Sequence, residues 1–83
     1  MYELVIKISA QKELNRLDGE AQMRILIALD SLCTDPFQGK ELSGDLKGLR
    51  SIRVWPHRIV YEIRKHELFV LVVNIAHRKD VYR

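Results

Sequence analysis

The 83-residue sequence predicts an α+β fold, a helical hairpin packed on one face of a small, mostly antiparallel sheet in the order β-α-α-β-β-β. Three observations predict it. Residues 2–8 alternate apolar and polar at period two. Apolar residues then recur at helical spacing from Ala10 to Leu32. From Arg50 onward the period returns to two.

Each element has its own signature. In YELVIKI, Leu4, Ile6 and Ile8 fall on one face and Glu3, Val5 and Lys7 on the other, as in a strand with one buried side. Ser9 offers a hydroxyl to cap a first helix carrying Ala10, Leu14 and Leu17 on one stripe. Asp18-Gly19 interrupts that stripe, and Asp18 can cap a second helix whose stripe is Ala21, Ile25, Ala28, Leu29 and Leu32. The second helix must stop before Asp35-Pro36, because the residue before proline is pushed out of the α region. Residues 35–49 read as a long loop that Phe37, Leu42, Leu46 and Leu49 can pin. SIRVW, RIVYEIR and LFVLVVNI read as three successive strands, with Lys65-His66-Glu67 as the link between the last two. The last strand is apolar on both faces, which suits a central place in the sheet. Ile52, Val54, Ile59, Tyr61 and Ile63 are the expected core set. Arg53, Trp55, Arg58, Val60, Glu62 and Arg64 are then sent to the opposite face.

A chain of this length has room for one domain, residues 1–83, with one compact core. At 47% hydrophobic and 30% charged residues, it is not expected to be disordered. No apolar run approaches the roughly 20 residues of a membrane span, and MYELVIKIS lacks the basic start of a secretory leader. A cytoplasmic protein is expected, with no membrane association. The single cysteine, Cys33, excludes an internal disulfide and a multi-cysteine metal centre. It lies beside the apolar stripe of the second helix and reads as a small core residue. There is no phosphate-binding glycine loop, no nucleophile elbow and no HExxH, and the three histidines lack metal-ligand spacing. No metal and no cofactor are expected.

Charge is the informative feature. Residues 1–49 hold six Lys/Arg against eight Asp/Glu, whereas residues 50–83 hold eight against three. A net charge of +3 is therefore concentrated in the back half, the footprint of a polyanion site. The candidates are Arg50, Arg53, Arg58, His77, Arg78, Lys79, Tyr82 and Arg83. Arginine forks match phosphate oxygens and stay charged at any working pH. Trp55 and Tyr82 add flat surfaces on which an unpaired base can stack. Such a set can also cleave RNA through the ribose 2′-hydroxyl. That chemistry needs a proton acceptor, cations around the pentavalent phosphate and a donor for the leaving oxygen, and it needs no metal. His77 and Tyr82 are the titratable members.

The stretch LSGDLKGLRSIRVWPHRIVYEI, followed by VNIAHRKDVYR, resembles the RelE/ParE superfamily of bacterial and archaeal toxins. The resemblance covers nearly the whole chain and is closer to the RelE branch, whose members cut mRNA in the ribosomal A site. The ParE branch inhibits DNA gyrase instead. The resemblance implies a RelE-like microbial RNase fold with catalytic basic residues on the sheet and near the C-terminus. Arg53 matches the second basic position of the strand before the bend. Arg58 matches the arginine opening the next strand, Arg78 the arginine after the last long strand, and Tyr82 the tyrosine close to the end. In the family such residues stabilise the scissile phosphate and handle protons for 2′-hydroxyl attack. Ser51 stands where many ribosome-cutting members carry lysine or arginine.

The expected activity is therefore that of a metal-independent mRNA endoribonuclease of a type II toxin–antitoxin system. Arg53, Arg58, His77, Arg78 and Tyr82 are its catalytic candidates, and Arg50, Trp55, Lys79 and Arg83 its RNA contacts. The expected partners are the ribosome, mRNA and a cognate antitoxin. Two alternatives stand beside it: a ParE-like gyrase inhibitor, and a catalytically weak RNA-binding relative.

Overall fold

The structure, a computed structural model, describes residues 1–77. Its elements are β1 (Glu3–Ile6), α1 (Ile8–Arg16), α2 (Gly19–Thr34), β2 (Lys40–Glu41), β3 (Arg50–Val54), β4 (His57–Arg64) and β5 (Phe69–His77), with single turns of 3₁₀ helix at Pro36–Gln38 and Gly44–Leu46. The five strands form one mixed sheet in the order β1-β5-β4-β3-β2, with the helices on one face. β1 runs parallel to β5, and every other pairing is antiparallel.

The core follows from the alternation. Ala10 and Leu14 of α1, with Ile25, Leu29 and Leu32 of α2, pack on Ile59, Tyr61, Val70, Val72 and Ile75 of the two central strands. Leu4, Ile6, Ile52, Val54 and Ile63 close the margins. The Asp18 carboxylate caps α2 by accepting the Ala21 N–H at 2.9 Å, and α2 ends at Thr34 ahead of Asp35-Pro36, both as expected. Cys33 is half-buried, and its thiol lies 3.6 Å from the Leu29 carbonyl.

Three expectations are corrected. First, β1 stops at Ile6 because Lys7, whose N–H donates to the Val72 carbonyl, is itself the N-terminal cap of α1. Ser9 therefore lies inside the helix, and Ile8 is 78% exposed rather than part of the core. Second, the 35–49 segment contributes a further strand: β2 pairs Lys40 with Ser51 and Glu41 with Arg50. Third, polar groups join the apolar side chains in pinning that segment, where Leu42 and Leu49 are half-buried. The buried Tyr61 hydroxyl donates to the Pro36 carbonyl at 2.6 Å and accepts the Gly39 N–H at 3.1 Å. Burial raises the Tyr61 pKa, so the phenol stays a donor. Gly39 is required here, since a β-carbon would run into the Tyr61 hydroxyl and sit 2.9 Å from the Ser51 carbonyl oxygen. Phe37 and Leu46 remain exposed.

One irregularity shapes the open face. β5 pairs Asn74 with Val60 but Val72 with Tyr61, so Val73 is an extra residue, a β-bulge. Counting by two from Val70 and Val72 would send Asn74 into the core. The bulge switches the parity, placing Ile75 inside and Asn74, which is exposed, on the open face.

Candidate functional site

The face of the sheet away from the helices is built from cross-strand rungs. Arg53 of β3, Arg58 of β4 and Ala76 of β5 form one rung. Ser51, Val60 and Asn74 form the next. Val60 and Ala76 are each 8% exposed and give the face a buried apolar floor. Arg53 is exposed and Arg58 half-buried. Two guanidinium-bearing residues directly opposite one another on neighbouring strands repel each other, a cost offset when an anion lies between them.

The other end of this face is different in kind. Arg64 shares it but is joined to Glu62, lies 3.7 Å from Glu67, and sits 5.9 Å from the centre of the Phe69 ring. Six residues of strand, about 20 Å, separate it from Arg58. Its charge is neutralised locally.

The remaining candidates are distributed as follows. Arg50 does not join Arg53 and Arg58, because its alternation turns it to the helix side. There it donates to the Gly39 carbonyl at 2.8 Å, to the Phe37 carbonyl at 3.4 Å and to Glu41 at 2.9 Å, and lies over the Phe37 ring at 5.3 Å. It staples the 36–41 segment.

His77 is also placed apart from the arginine pair. Its register partner is His57, whereas Arg58 faces Ala76. The two imidazoles meet edge to face with centres 5.6 Å apart. Burial chiefly, then His77 and Arg24, lower the His57 pKa, opposed by Asp18 and Glu13. These are helix residues, so the histidine pair lies on the helix side of the sheet. Trp55 is 59% exposed in the β3–β4 turn, beside the arginine end. Arg78, Lys79, Tyr82 and Arg83 lie outside the described residues. Among the described residues, no group of three His, Cys, Asp or Glu side chains could hold a metal ion, and no helix is long and apolar enough to cross a membrane.

Asn74 was not among the sequence-derived candidates. Its signal was a lone amide in an otherwise apolar strand, and the bulge that turns it outward leaves no mark in the periodicity.

A helical hairpin on one face of this five-stranded sheet is the RelE-like α+β fold. The RelBE2 toxin–antitoxin complex of Mycobacterium tuberculosis superposes with a TM-score of 0.86 at 24% identity, covering 93% of this chain and 98% of the other. The isolated RelE toxin of E. coli gives 0.82 at 22% identity, covering 99% and 92%. These likenesses establish the fold. The sequence establishes the family: residues 4–82 match the model of the ParE toxin of type II toxin–antitoxin systems. Toxin RelE of M. tuberculosis is 33% identical over 99% of this chain and 87% of the relative, and toxin RelG of the same organism is 27% identical over 99% and 97%. The chain belongs to the RelE/ParE superfamily of type II toxins.

Proposed function

We propose that this toxin is a ribosome-dependent mRNA endoribonuclease acting in the cytoplasm and held inactive by a cognate antitoxin. The observation that carries the proposal is the Arg53–Arg58 rung, two arginines paired across β3 and β4 on the face where Val60 and Ala76 are buried. A phosphodiester laid across the rung bridges two like charges and gives each a bidentate acceptor.

The chemistry then follows from the ribose. The 2′-oxygen loses its proton to a base and attacks phosphorus, and the bond from phosphorus to the 5′-oxygen breaks. The products are a 2′,3′-cyclic phosphate and a 5′-hydroxyl, which takes a proton from an acid. Arg53 and Arg58 stabilise the extra negative charge of the pentavalent state. Arg78 joins them and assists the leaving oxygen, and Tyr82 takes the 2′ proton. A tyrosine, with an ordinary pKa near 10, needs guanidinium groups to serve as that base, and Arg78 and Arg83 are close to Tyr82 in sequence. Of the two titratable groups, Tyr82 suits the role better, because His77 packs against His57 on the other side of the sheet. A basic, open face also suits an acidic antitoxin segment that folds on binding. In support, structure neighbours include the RelBE2 complex and an archaeal RelE–RelB complex from Pyrococcus horikoshii.

The test is translation in a cell-free extract with primer-extension mapping of the message. Wild type cuts within the A-site codon, and Arg58→Ala does not. Equal cutting by the two proteins, or no cuts by wild type, sinks the proposal. The matched family model favours one other reading, inhibition of DNA gyrase in the ParE manner. That reading predicts loss of supercoiling activity in a purified gyrase assay, with no dependence on Tyr82.

A further inference from the structure

We infer that His57 and His77 form a two-imidazole chelate for one divalent ion of the zinc, nickel and copper group, on the helix side of the sheet. The site is separate from the arginine rung and independent of the nuclease reading.

The fold makes the juxtaposition. In the sequence the two residues lie far apart, and nothing in their spacing suggests a shared ligand. The antiparallel pairing of β4 and β5 makes them direct cross-strand partners. His57 opens β4 and His77 is the last residue of β5, so they meet at the margin of the sheet rather than in its core. The alternation that turns Arg58 to the open face turns both histidines toward the helices. Each is half-buried and so keeps part of its surface open to an ion.

The spacing suits a chelate. Zinc binds imidazole nitrogen at about 2.0–2.1 Å, and a tetrahedral angle between two such ligands puts their ring centres about 5.2 Å apart. The observed centres lie 5.6 Å apart, with the ring planes at 81°. Coordination fixes no angle between the two planes, so small rotations about the side-chain torsions bring one nitrogen of each ring to a shared ion. Two paired strands hold the ligands in place beforehand, so little ordering is needed on binding. Among the described residues no group of three His, Cys, Asp or Glu makes a larger cluster. Water therefore fills the remaining positions, and the site is an exchangeable one rather than a closed site of four protein ligands.

The surroundings admit a cation. A metal binds the neutral imidazole, the form that burial favours at His57. Glu13 and Asp18 stand close enough to His57 to favour positive charge there. Arg24 opposes them, but it is itself 3.4 Å from Glu20. Imidazole nitrogen suits zinc, nickel and copper, whereas magnesium and calcium prefer oxygen ligands.

Zinc chloride titrated into the full-length toxin, carried without a histidine tag at about pH 7.5, tests this by calorimetry and by the histidine ring signals in NMR spectra. One zinc should bind per chain. It should shift the rings of His57 and His77 but not that of His66, which is exposed in the turn after β4. His57→Gln and His77→Gln should each weaken binding at least about tenfold, since even the outer partners of a metal ligand are worth that much. His66→Gln should not change it. A bound ion favours the folded state, so zinc should raise the urea midpoint of wild type and of His66→Gln, and not of the other two variants. Magnesium at the same concentration should neither bind nor stabilise. No zinc binding, an affinity unmoved by either substitution at the pair, or binding lost on Cys33→Ser instead overturns the site. Should a variant at the pair fail to fold, the wild-type ring signals decide, and zinc binding that leaves them in place overturns the site as well.

Discussion

Arg50 and Arg53 lie three residues apart on one strand and do opposite things. Arg50 turns to the helix side and is matched to two carbonyls and a carboxylate within the 36–41 segment. Arg53 turns to the open side and is matched to another arginine. The first arrangement is saturated by its own chain and contributes to the fold. The second places two arginines on one cross-strand rung. Side-chain type and position along the chain are nearly the same, and strand alternation decides which guanidinium is available to a ligand. A basic half-sequence is thus a mixture of staples and ligand groups, and the partners of each side chain sort them.

The sharpest way to break this contrast is to remove each arginine in turn. Arg58→Ala should lower A-site cleavage by about 10²-fold or more, the usual consequence of deleting one charge-stabilising donor. Arg53→Ala should act in the same direction, and its urea midpoint should stay level or rise slightly as a like-charge contact is relieved. Arg50→Met should reverse the pattern. Cleavage per folded molecule should stay within about twofold while stability falls by roughly 1–2 kcal/mol, because hydrogen bonds from a charged donor are lost. Cleavage abolished by Arg50→Met in a folded protein would erase the distinction.

The helix-side clamp can be tested at its centre. Tyr61→Phe keeps the ring but leaves the Pro36 carbonyl and the Gly39 N–H without their partner inside a buried contact. The expected loss is about 2 kcal/mol, read from urea unfolding. Gly39→Ala should cost at least as much, because its β-carbon has no space. Neither change touches the open face, so both should leave cleavage per folded molecule unaltered.

Much of the helix side was legible in the sequence, for a physical reason. Leu14, Ile25, Leu29, Ile59 and Tyr61 obey simple periods, and burial enforces those periods strictly. The Asp18 cap and the Asp35-Pro36 stop are local chemistry and also read directly. What escaped depended on partners distant along the chain. β2 is two residues long and exists because Tyr61, some 20 residues downstream, anchors the segment leading into it. Of the site, the opposition of Arg53 and Arg58 was readable as a shared face. The turning away of Arg50 followed from parity once the register was fixed. The register of His77 is set by pairing across β4, where it meets His57 and leaves Ala76 opposite Arg58. Asn74 was hidden by the bulge, an insertion that the hydrophobic pattern absorbs without a trace.

A smaller effect distinguishes the histidine pair from the arginine pair. Burial and His77 hold the His57 pKa below its ordinary value, so the folded protein resists a proton that the unfolded chain accepts. Between the two pKa values the unfolded state binds more protons, and stability rises with pH. The contribution is therefore fully present above the unfolded value near 6.5 and is lost as pH falls through it toward the folded value. Urea midpoints measured from pH 7.5 down to 5 should decline over this window, and His57→Gln should flatten the decline. The arginines do not titrate here, so Arg53→Ala should leave the slope unchanged.

The smallest expected effect lies at the far end of the sheet, in the turn between β4 and β5. Leu68 adopts φ 59, a left-handed conformation that costs a side-chain-bearing residue about 1–2 kcal/mol. Its side chain is 56% exposed, so little burial offsets that strain. Its carbonyl accepts the Glu3 N–H at 3.0 Å and so ties the start of β1 to the turn. Leu68→Gly keeps that carbonyl and removes the strain, while adding unfolded-state freedom worth roughly 0.5–1 kcal/mol. The net change should be a gain of about 0.5 kcal/mol in urea unfolding. Because Leu68 is remote from Arg53 and Arg58, cleavage should not change. A loss of stability would mean that the Leu68 side chain contributes contacts its exposure does not suggest. A change in cleavage would mean that the two ends of the sheet are coupled through β4 and β5.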